Sequence, residues 1–366
     1  MRVNASVAGM AAAILALTLS ACQPGASGGT GPTYASNVVV VSGNIGSATT
    51  WNAGKVYYID ESIYVNNGAT LTISAGAIVK FGASGYLIVD TGGTLVANGS
   101  EMAKIVFTSI RDTIGGDSIT NDADVGPAKG DWHYVWTTPG AASSSLTYCV
   151  FRYAGADKDP ALQIDGPATV SHCEFYRNLG GLPFNANEWA CLDARNAETG
   201  TSIADNLFYE NGWPLAIPAT MSLDATNAFS YDHDANAVTP SLVNDYQAIF
   251  LENKQIAGNV SWAETEVPFC YFDLTWLYIN PTATVSIASG AALKFSGAYS
   301  GIWLETGAAF NRAGVSFTSY RDDSVMGDTN GDGTASSPAS TDWAGIWLES
   351  SSAYLTEGVS YASNTP

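Results

Sequence analysis

A block of sequence that occurs twice constrains this chain more than any other feature. Phe107-Thr-Ser-Ile-Arg-Asp112 returns 210 residues later as Phe317-Thr-Ser-Tyr-Arg-Asp322. Each copy continues into an acidic loop that contains glycine and then into an Asp-Trp pair. Such self-similarity is typical of repeat architectures, whose units bury a shared core. We therefore predict one repeat unit in residues 37–261 and a second, incomplete unit in residues 262–366.

A shorter period runs inside each unit. Val65 and Val89 occupy equivalent positions 24 residues apart, and so do Leu71 and Leu95. Three short apolar strands fit into each period, and Gly, Asn and Asp mark the turns between them. A β-sandwich would need longer alternating strands joined by hairpins. The pattern instead predicts an all-β chain wound as a parallel β-helix, with acidic loops inserted into its coils.

The middle of the first unit contains a ladder with one common spacing. Each member has an aliphatic residue, then Cys or Asn, then Phe: Leu146-x-x-Cys149-x-Phe151, Val170-x-x-Cys173-x-Phe175 and Ile203-x-x-Asn206-x-Phe208. Asn178 and Asn211 each follow their phenylalanine by three positions. In a β-helix, like residues stack at the inter-strand spacing of about 4.8 Å. We predict that these residues form the core and the corners of the coil.

Composition limits the classes of partner. Of the 366 residues, 46% are hydrophobic and 13% are charged, which is enough apolar material for a large core. Only 14 Lys and Arg stand against 34 Asp and Glu, a formal net charge of -20. We predict no nucleic-acid partner, because such binding depends on basic residues that neutralise phosphates. Polyanionic sugars are disfavoured unless metal ions bridge the like charges, and divalent cations suit this surface.

The N-terminus has the pattern of a targeting segment. Arg2 gives a positive start, and the apolar run of residues 5–19 is too short to span a bilayer. The run ends in Leu19-Ser-Ala-Cys22, which resembles the lipobox of bacterial lipoproteins. An ordinary secretory signal is the alternative.

The lipobox resemblance implies a signal peptide at residues 1–21 and lipidation of the Cys22 thiol, for example with palmitate. Gln23 follows the cysteine, which by the same resemblance implies the outer membrane or the cell surface. Residues 22–36 are rich in Gly, Ser, Thr and Pro, and we predict that they form a flexible tether. The predicted membrane partner is therefore reached through lipid.

Several motifs together resemble one protein family. They are Asn67-Gly-Ala-Thr-Leu-Thr-Ile-Ser-Ala-Gly76, the repeated FTS-x-RD element, the Asp-Trp pairs and the Cys/Asn-x-Phe ladder. These are similar to bacterial right-handed parallel β-helix repeat proteins of the pectin-lyase-like fold, over residues 38–366. The resemblance implies the fold and leaves the activity open, because that fold hosts polysaccharide lyases, glycoside hydrolases, adhesins and inert surface proteins.

The sharpest candidate site is Asp328-Thr-Asn330-Gly-Asp332-Gly333-Thr334. Oxygen-bearing side chains at alternate positions, with glycine at the sixth, match the first half of a calcium-binding loop of the EF-hand type. The twelfth position is Ala339 and not the usual glutamate, so another carboxylate must complete the site. Asp342 is the predicted fifth ligand, and Asp323 and Asp322 are the alternatives. We predict a structural Ca²⁺ site.

The corresponding loop of the first copy keeps its acidic residues but loses this spacing. It contains Asp117, Asn121, Asp122 and Asp124, which we predict as ligands of a second calcium site. In both copies the loop interrupts the coil between two strands. Calcium would therefore fold a long excursion back onto the helix.

Catalysis by this fold would need further groups. Lyases of the resembled fold use Arg or Lys as a base, and Arg111 and Arg321 are the repeated basic residues beside the acidic loops. Asp112 and Asp322 are adjacent and offer them ion-pair partners. Two carboxylate groupings stand out for a hydrolase: Asp157, Asp159 and Asp165, and Asp232 with His233 and Asp234. Neither matches a family motif, so the catalytic residues stay unknown.

Cysteine and tryptophan positions leave alternatives open. Cys149 and Cys173 lie one coil apart, which fits either a disulfide or a buried stack of thiols. Cys191 and Cys270 have no evident partner. The tryptophans near the acidic loops either pin those loops to the coil or stack on sugar rings: Trp132, Trp136, Trp343 and Trp347.

The sequence favours a lipid-anchored surface protein that is a calcium-stabilised, non-catalytic scaffold or adhesin, with glycans or surface proteins as partners. The alternative is a polysaccharide lyase, a glycoside hydrolase or a glycan-binding protein of the same fold. The sequence pattern stops within a unit near Pro366, so we expect either a partner at that edge or a truncated reading frame.

Overall fold

The computed structural model describes residues 35–116, 125–182, 188–232, 242–252, 255–272 and 275–364. Tyr34–Pro366 form one compact unit, and Met1–Thr33, including the predicted lipidation site Cys22, lie outside the described residues. Both predicted repeat units fall within the compact unit. The described residues contain no α-helix, and among them no helix is long and apolar enough to cross a membrane.

The chain consists almost entirely of short strands. Two single-turn 3-10 helices, Ala156–Lys158 and Glu349–Ser351, are the other regular elements described. The strands, in chain order, are β1 (Val38–Val40), β2 (Thr49–Trp51), β3 (Val56–Ile59), β4 (Ser62–Val65), β5 (Thr70–Ser74), β6 (Ile78–Phe81), β7 (Tyr86–Val89), β8 (Thr94–Asn98), β9 (Ile105–Ser109), β10 (Val135–Thr137), β11 (Ser144–Thr147), β12 (Cys149–Arg152), β13 (Leu162–Ile164), β14 (Ala168–Ser171), β15 (Glu174–Tyr176), β16 (Leu192–Asp193), β17 (Ser202–Ala204), β18 (Leu207–Tyr209), β19 (Leu215–Pro218), β20 (Ser230–Tyr231), β21 (Leu242–Val243), β22 (Ile249–Glu252), β23 (Gln255–Ile256), β24 (Val260–Trp262), β25 (Phe269–Tyr271), β26 (Trp276–Ile279), β27 (Thr284–Ile287), β28 (Ala292–Phe295), β29 (Gly301–Leu304), β30 (Ala309–Asn311), β31 (Ser316–Ser319), β32 (Gly345–Leu348) and β33 (Ala353–Tyr354).

Successive coils stack these strands into parallel sheets. A ten-stranded sheet runs from β4 through every third strand to β31, and sheets of seven and six strands flank its first half. A five-stranded and a three-stranded sheet take their place in the second half. Val65 pairs with Val89 and Leu71 with Leu95, so the predicted period of 24 is confirmed. The all-β parallel β-helix is therefore confirmed.

The interior of the coil contains the predicted ladder. Phe151, Phe175 and Phe208 stack face to face, with ring centroids 5.0 Å apart at each step. Asn178 and Asn211 form a buried corner ladder, in which Asn178 Nδ2 donates to Asn211 Oδ1 at 3.0 Å. These side-chain amides form hydrogen bonds with backbone groups at the turns, where the strand pairing leaves them without partners. The asparagine stack therefore satisfies buried polar atoms and also fills space.

Cys149 and Cys173 are neighbours on adjacent coils and are held as free, buried thiols. Each thiol donates to a backbone carbonyl, Cys149 Sγ to Ala97 O at 3.2 Å and Cys173 Sγ to Leu146 O at 3.4 Å. In-register parallel strands point both side chains the same way, which favours the stack of thiols over the disulfide. Of the two predicted alternatives, the structure has the thiol stack.

The two copies of the repeat are rotated relative to each other by one face of the coil. In the first copy β6 belongs to the seven-stranded sheet, whereas its counterpart β28 belongs to the ten-stranded sheet. Likewise β4 lies in the ten-stranded sheet and its counterpart β26 in the five-stranded sheet. The two acidic loops therefore leave the coil at different corners. The period of 24 positions the coils but does not predict this rotation.

Candidate functional site

Both acidic loops are anchored by the same buried contacts. We call residues 112–131 the first acidic loop and residues 322–342 the second. Lys294 Nζ lies buried and donates to Asp322 O at 2.9 Å and Gly327 O at 2.8 Å. Lys80 Nζ donates in the same way to Asp112 O at 2.6 Å. A buried ammonium bonded to loop carbonyls fixes where each loop begins.

The tryptophan after each loop closes it. Trp132 stacks on Phe81 and Trp343 on Phe295, each with ring centroids 4.2 Å apart. Both tryptophans are fully buried. The prediction that part of the tryptophan set pins the loops is borne out for these two, whereas Trp136 and Trp347 are half-buried on outer faces of the coil.

The arginines beside the loops have different partners from those predicted. Arg111 Nη1 pairs with Asp131 at 2.8 Å, and Arg321 Nη1 with Asp342 at 3.1 Å. The adjacent aspartates turn inward, where Asp322 Oδ2 accepts from Thr318 Oγ1 at 2.7 Å. The prediction of pairing with Asp112 and Asp322 was wrong, because consecutive residues after a strand point to opposite sides.

The second acidic loop brings three carboxylates together. One oxygen from each of Asp323, Asp328 and Asp332 lies within 4.8 Å of the other two. Asp342 is held elsewhere by Arg321 and accepts from Ser319 Oγ at 2.5 Å. Of the three carboxylates considered as the additional ligand, the geometry therefore places Asp323 at the cluster.

The turn of the loop orients these oxygens. Asp328 accepts hydrogen bonds at 2.7 Å from the N–H groups of Gly331 and Gly333, both of which have φ of +70°. Asn330 Nδ2 donates to Asp332 Oδ2 at 2.8 Å and to Ser336 Oγ at 2.9 Å.

Asn330 Oδ1 and Asp323 Oδ1 are buried, and neither has a hydrogen-bond partner within the described chain. Thr334 is exposed beside them.

Electrostatics in the cluster follow from its crowding. Partial burial, and then the charge of Asp328, raise the pKa of Asp323. A hydrogen bond from the Ser336 hydroxyl is the main reason that the pKa of Asp332 is lowered. Burial lowers the pKa of Lys294 to about 8, although nearby acidic groups favour its charged form.

The predicted ligands of the first loop, Asp117, Asn121, Asp122 and Asp124, lie outside the described residues.

Asp159 and Asp165, which were predicted together as hydrolase candidates, contact different partners. Asp159 Oδ2 lies 2.8 Å from His133 Nδ1, and the His133 ring stacks on Tyr86 at 4.2 Å. Asp165 Oδ2 accepts from Trp136 Nε1 at 2.8 Å and from Gln163 Nε2 at 2.9 Å. Burial raises the pKa of both Asp159 and Asp165, although the contact with His133 lowers that of Asp159 and the hydrogen bond from Trp136 lowers that of Asp165. His233 and Asp234, from the other grouping, are outside the described residues.

Sequence reasoning missed a buried network beside Asp165. Arg195 Nε donates to both oxygens of Asp193, at 3.1 and 2.9 Å, and Arg195 Nη1 lies 3.3 Å from Glu252. Burial raises the pKa of Asp193 against the lowering effect of Arg195. The Arg195 and Asp193 side chains are only 7% and 2% exposed, so this pair supports the sheet, and Glu252 lies at its exposed end. The one sequence signal was an Asp at the end of a short apolar strand with an Arg two positions later.

Aromatic side chains form a row on the outer face of the five-stranded sheet. Tyr278, Trp303 and Trp347 are in register on three adjacent strands, β26, β29 and β32. Their ring centroids are 6.0 and 5.9 Å apart, and all three are half-buried. Of the predicted tryptophans, Trp347 belongs to this row.

Basic side chains in the described chain are almost all engaged. Apart from Lys55, each lysine and arginine either bonds to backbone carbonyls or pairs with a carboxylate. Besides the residues already described, the pairs are Lys104–Glu174, Lys129–Asp245, Arg152–Asp112, Lys158–Glu188, Arg177–Glu210 and Arg312–Glu357.

These features define a class of protein, an acidic parallel β-helix of the pectin-lyase-like fold. Residues 43–168 match the family described as the pectate-lyase-like β-helix domain. The match covers the strands from β2 to β13 and includes the first acidic loop. No curated protein matches the chain. No solved structure matches it either.

Proposed function

We propose that this protein is a lipid-anchored scaffold or adhesin of the cell surface, whose β-helix is stabilised by calcium bound in the second acidic loop. The observation that carries the calcium site is the convergence of Asp323, Asp328 and Asp332, with one oxygen of each within 4.8 Å of the other two. Three carboxylates held this close repel one another unless a cation lies among them.

Calcium fits the donor set better than other ions do. All the converging groups offer oxygen, which hard cations prefer, and Asn330 Oδ1, which is buried without a hydrogen-bond partner in the described chain, adds one further donor. Magnesium demands a stricter octahedral geometry, and zinc prefers nitrogen and sulfur ligands. The proposed ligands are Asp323, Asp328, Asn330 and Asp332, and Asp342 is left to Arg321.

A scaffold role also agrees with the state of the basic residues. A lyase of this fold would need an arginine or lysine free to take a proton from substrate. Arg111 and Arg321 are instead paired with carboxylates whose side chains are 7% and 5% exposed. These pairs close the acidic loops, so we assign both arginines a structural role.

Titration calorimetry with calcium tests the metal site directly. We expect wild-type protein to bind calcium and the double variant Asp328→Ala, Asp332→Ala to lose the binding attributable to the second loop. The matched control is Asp90→Ala with Asp205→Ala, which removes the same charge from exposed positions outside the cluster. Equal calcium binding by wild type and the Asp328/Asp332 variant would reject the site.

The lipid anchor is tested separately, because it depends on the N-terminal sequence alone. Metabolic labelling with a palmitate analogue in a bacterial host should mark wild-type protein and leave Cys22→Ser unmarked. Fractionation should place the wild type with membranes. If Cys22→Ser is labelled and fractionates like the wild type, the anchor is at another residue or does not exist.

Glycan binding is a second candidate function, favoured by the row of Tyr278, Trp303 and Trp347. Half-buried aromatic rings on the outer face of a sheet can stack on sugar rings. Affinity electrophoresis in neutral polysaccharides should retard the wild type, and Trp303→Ala should remove the retardation. Tyr299→Ala is the control, because Tyr299 is 75% exposed and outside the row. New reducing ends or unsaturated products in the same incubations would reveal an enzyme instead.

A further inference from the structure

A second hydrophobic core lies outside the coil, on the outer face of the ten-stranded sheet. We call it the external core. It contains Ala190, Trp213, Ala216, Ala248, Phe250 and Cys270, and Tyr246, Phe272 and Tyr320 pack against it. Cys270 is fully buried although it points away from the interior of the coil. Something must therefore cover this face.

The second acidic loop has the path to cover it. The sheet order is β31, β28, β25, β22, and the loop begins just after β31. It is bonded to Lys294 on β28, and Asp328 O then accepts from Gln247 N at 3.0 Å, just before β22. The loop thus crosses β25, the strand that carries Cys270.

The far end of the loop is tightly seated. Thr329 is fully buried, and its hydroxyl lies 3.4 Å from Gln247 O. Gly331 packs so closely on Tyr246 that a Cβ there would lie 2.6 Å from the ring. The loop therefore rests on the same segment that borders the external core.

The charges of the loop oppose this closure. Asp323, Asp328 and Asp332 converge within this loop, and Lys294, whose Nζ donates to the loop carbonyls of Asp322 and Gly327, is the basic residue whose charge acts on Asp323. One positive charge does not balance three negative ones at this separation. A divalent cation in the cluster would remove most of the repulsion.

We propose that calcium controls closure of the second acidic loop over the external core, so that removing calcium opens the loop and exposes Cys270. This inference rests on the calcium site of the proposed function. It adds that the site governs access to a particular surface of the sheet and does not only raise stability.

Site-resolved alkylation of Cys270 with N-ethylmaleimide tests the inference, with labelled peptides quantified by mass spectrometry. The Cys270 thiol is protected when closed, because burial raises its pKa to about 12, whereas an exposed thiol ionises near pH 8.5. We expect alkylation of wild-type Cys270 to be about tenfold faster in EGTA than in calcium, as local opening would allow. Cys191, fully buried in the main core, should stay protected in both conditions.

The variant Asp328→Asn, Asp332→Asn separates charge repulsion from general loosening. It removes two of the three charges and keeps side-chain oxygens that can accept from the glycine N–H groups. Cys270 should then stay protected with or without calcium. Fast alkylation of this variant in both conditions would contradict the repulsion mechanism and overturn the inference.

Calorimetry on the same samples distinguishes failure of the inference from failure of the proposed function. If calcium binds to wild type and the rate of Cys270 alkylation does not change, control of closure is rejected while the metal site stands. If no calcium binds, both the site and the control of closure are rejected. Calcium binding together with calcium-dependent protection of Cys270 supports both.

Discussion

Trp343 lies flat on Phe295, with ring centroids 4.2 Å apart and planes 3° from parallel. Phe295 belongs to the coil, and Trp343 follows the second acidic loop directly. Trp132 and Phe81 repeat the contact in the first copy at the same distance, with planes 7° apart. This contact fixes the point at which the chain re-enters the core after each acidic loop. The position of each loop therefore depends on it.

Trp343→Ala should destabilise the protein by about 3–5 kcal/mol, the usual cost of deleting a buried tryptophan side chain. The indole N–H also donates to Ser360 O at 2.8 Å, and that carbonyl would lose its partner. Urea denaturation followed by circular dichroism measures the change. Trp347→Ala is the control, since a half-buried ring on the outer face should cost less than about 1.5 kcal/mol. Equal costs for the two variants would contradict the assigned roles.

Asn211→Leu should destabilise the coil by about 3 kcal/mol, because each buried polar group left unpaired costs about 1–3 kcal/mol. Asn211 Nδ2 donates to Phe175 O at 2.8 Å, and its Oδ1 accepts from Asn178. Leucine has a similar volume and supplies neither atom. The unfolding free energy should be compared with that of Asn311→Ala, an exposed amide bonded to Ser286 Oγ. A loss no larger than that of the control would show that the ladder is dispensable.

Asp165→Asn should change the pH dependence of stability in a defined direction. Burial, and then the nearby charge of Asp193, raise the pKa of Asp165 in the folded state above its unfolded value. The folded protein therefore holds this proton more tightly, and the unfolding free energy gains a contribution as the pH falls through the raised pKa. The contribution is complete below the unfolded pKa and is lost as the pH rises.

Chemical denaturation between about pH 4 and pH 7 should therefore show that the free energy of unfolding of the wild type rises relative to that of Asp165→Asn as the pH falls. Buried acids that do not interact with Asp165 titrate equally in both proteins, so the difference reports Asp165 together with its coupling to Asp193. A difference that does not vary with pH, or that varies in the opposite sense, would show that the raised pKa is wrong.

Much of the fold can be predicted from the sequence, because each coil of a β-helix repeats apolar and turn residues at a fixed spacing. Val65 and Val89 pair as predicted, and the stacked Phe residues and the Asn178–Asn211 pair lie where the ladder spacing placed them. Stacking in register allows only one arrangement for residues one period apart. For Cys149 and Cys173 the sequence left two alternatives, because their spacing predicts that they are neighbours but not which way their sulfur atoms point. In the structure both are free thiols.

The site was less predictable because it depends on contacts outside the period. The loop motif identified Asp328 and Asp332, but Asp323 joins them through the fold of the loop, and Asp342 is taken by Arg321. The external core was missed for a related reason. Cys270 faces outward on its strand, and its burial comes from elements distant in the sequence.

The most direct test of the account is the melting temperature with and without calcium. Differential scanning calorimetry of wild type should show the transition about 5 °C higher in saturating calcium than in EGTA, since a ligand that binds only the folded state stabilises it. Asp328→Ala with Asp332→Ala should lose the part of this increase that calcium binding in the second loop contributes, while Asp90→Ala with Asp205→Ala keeps the wild-type response. Wild-type melting curves that superimpose in calcium and EGTA would contradict the account.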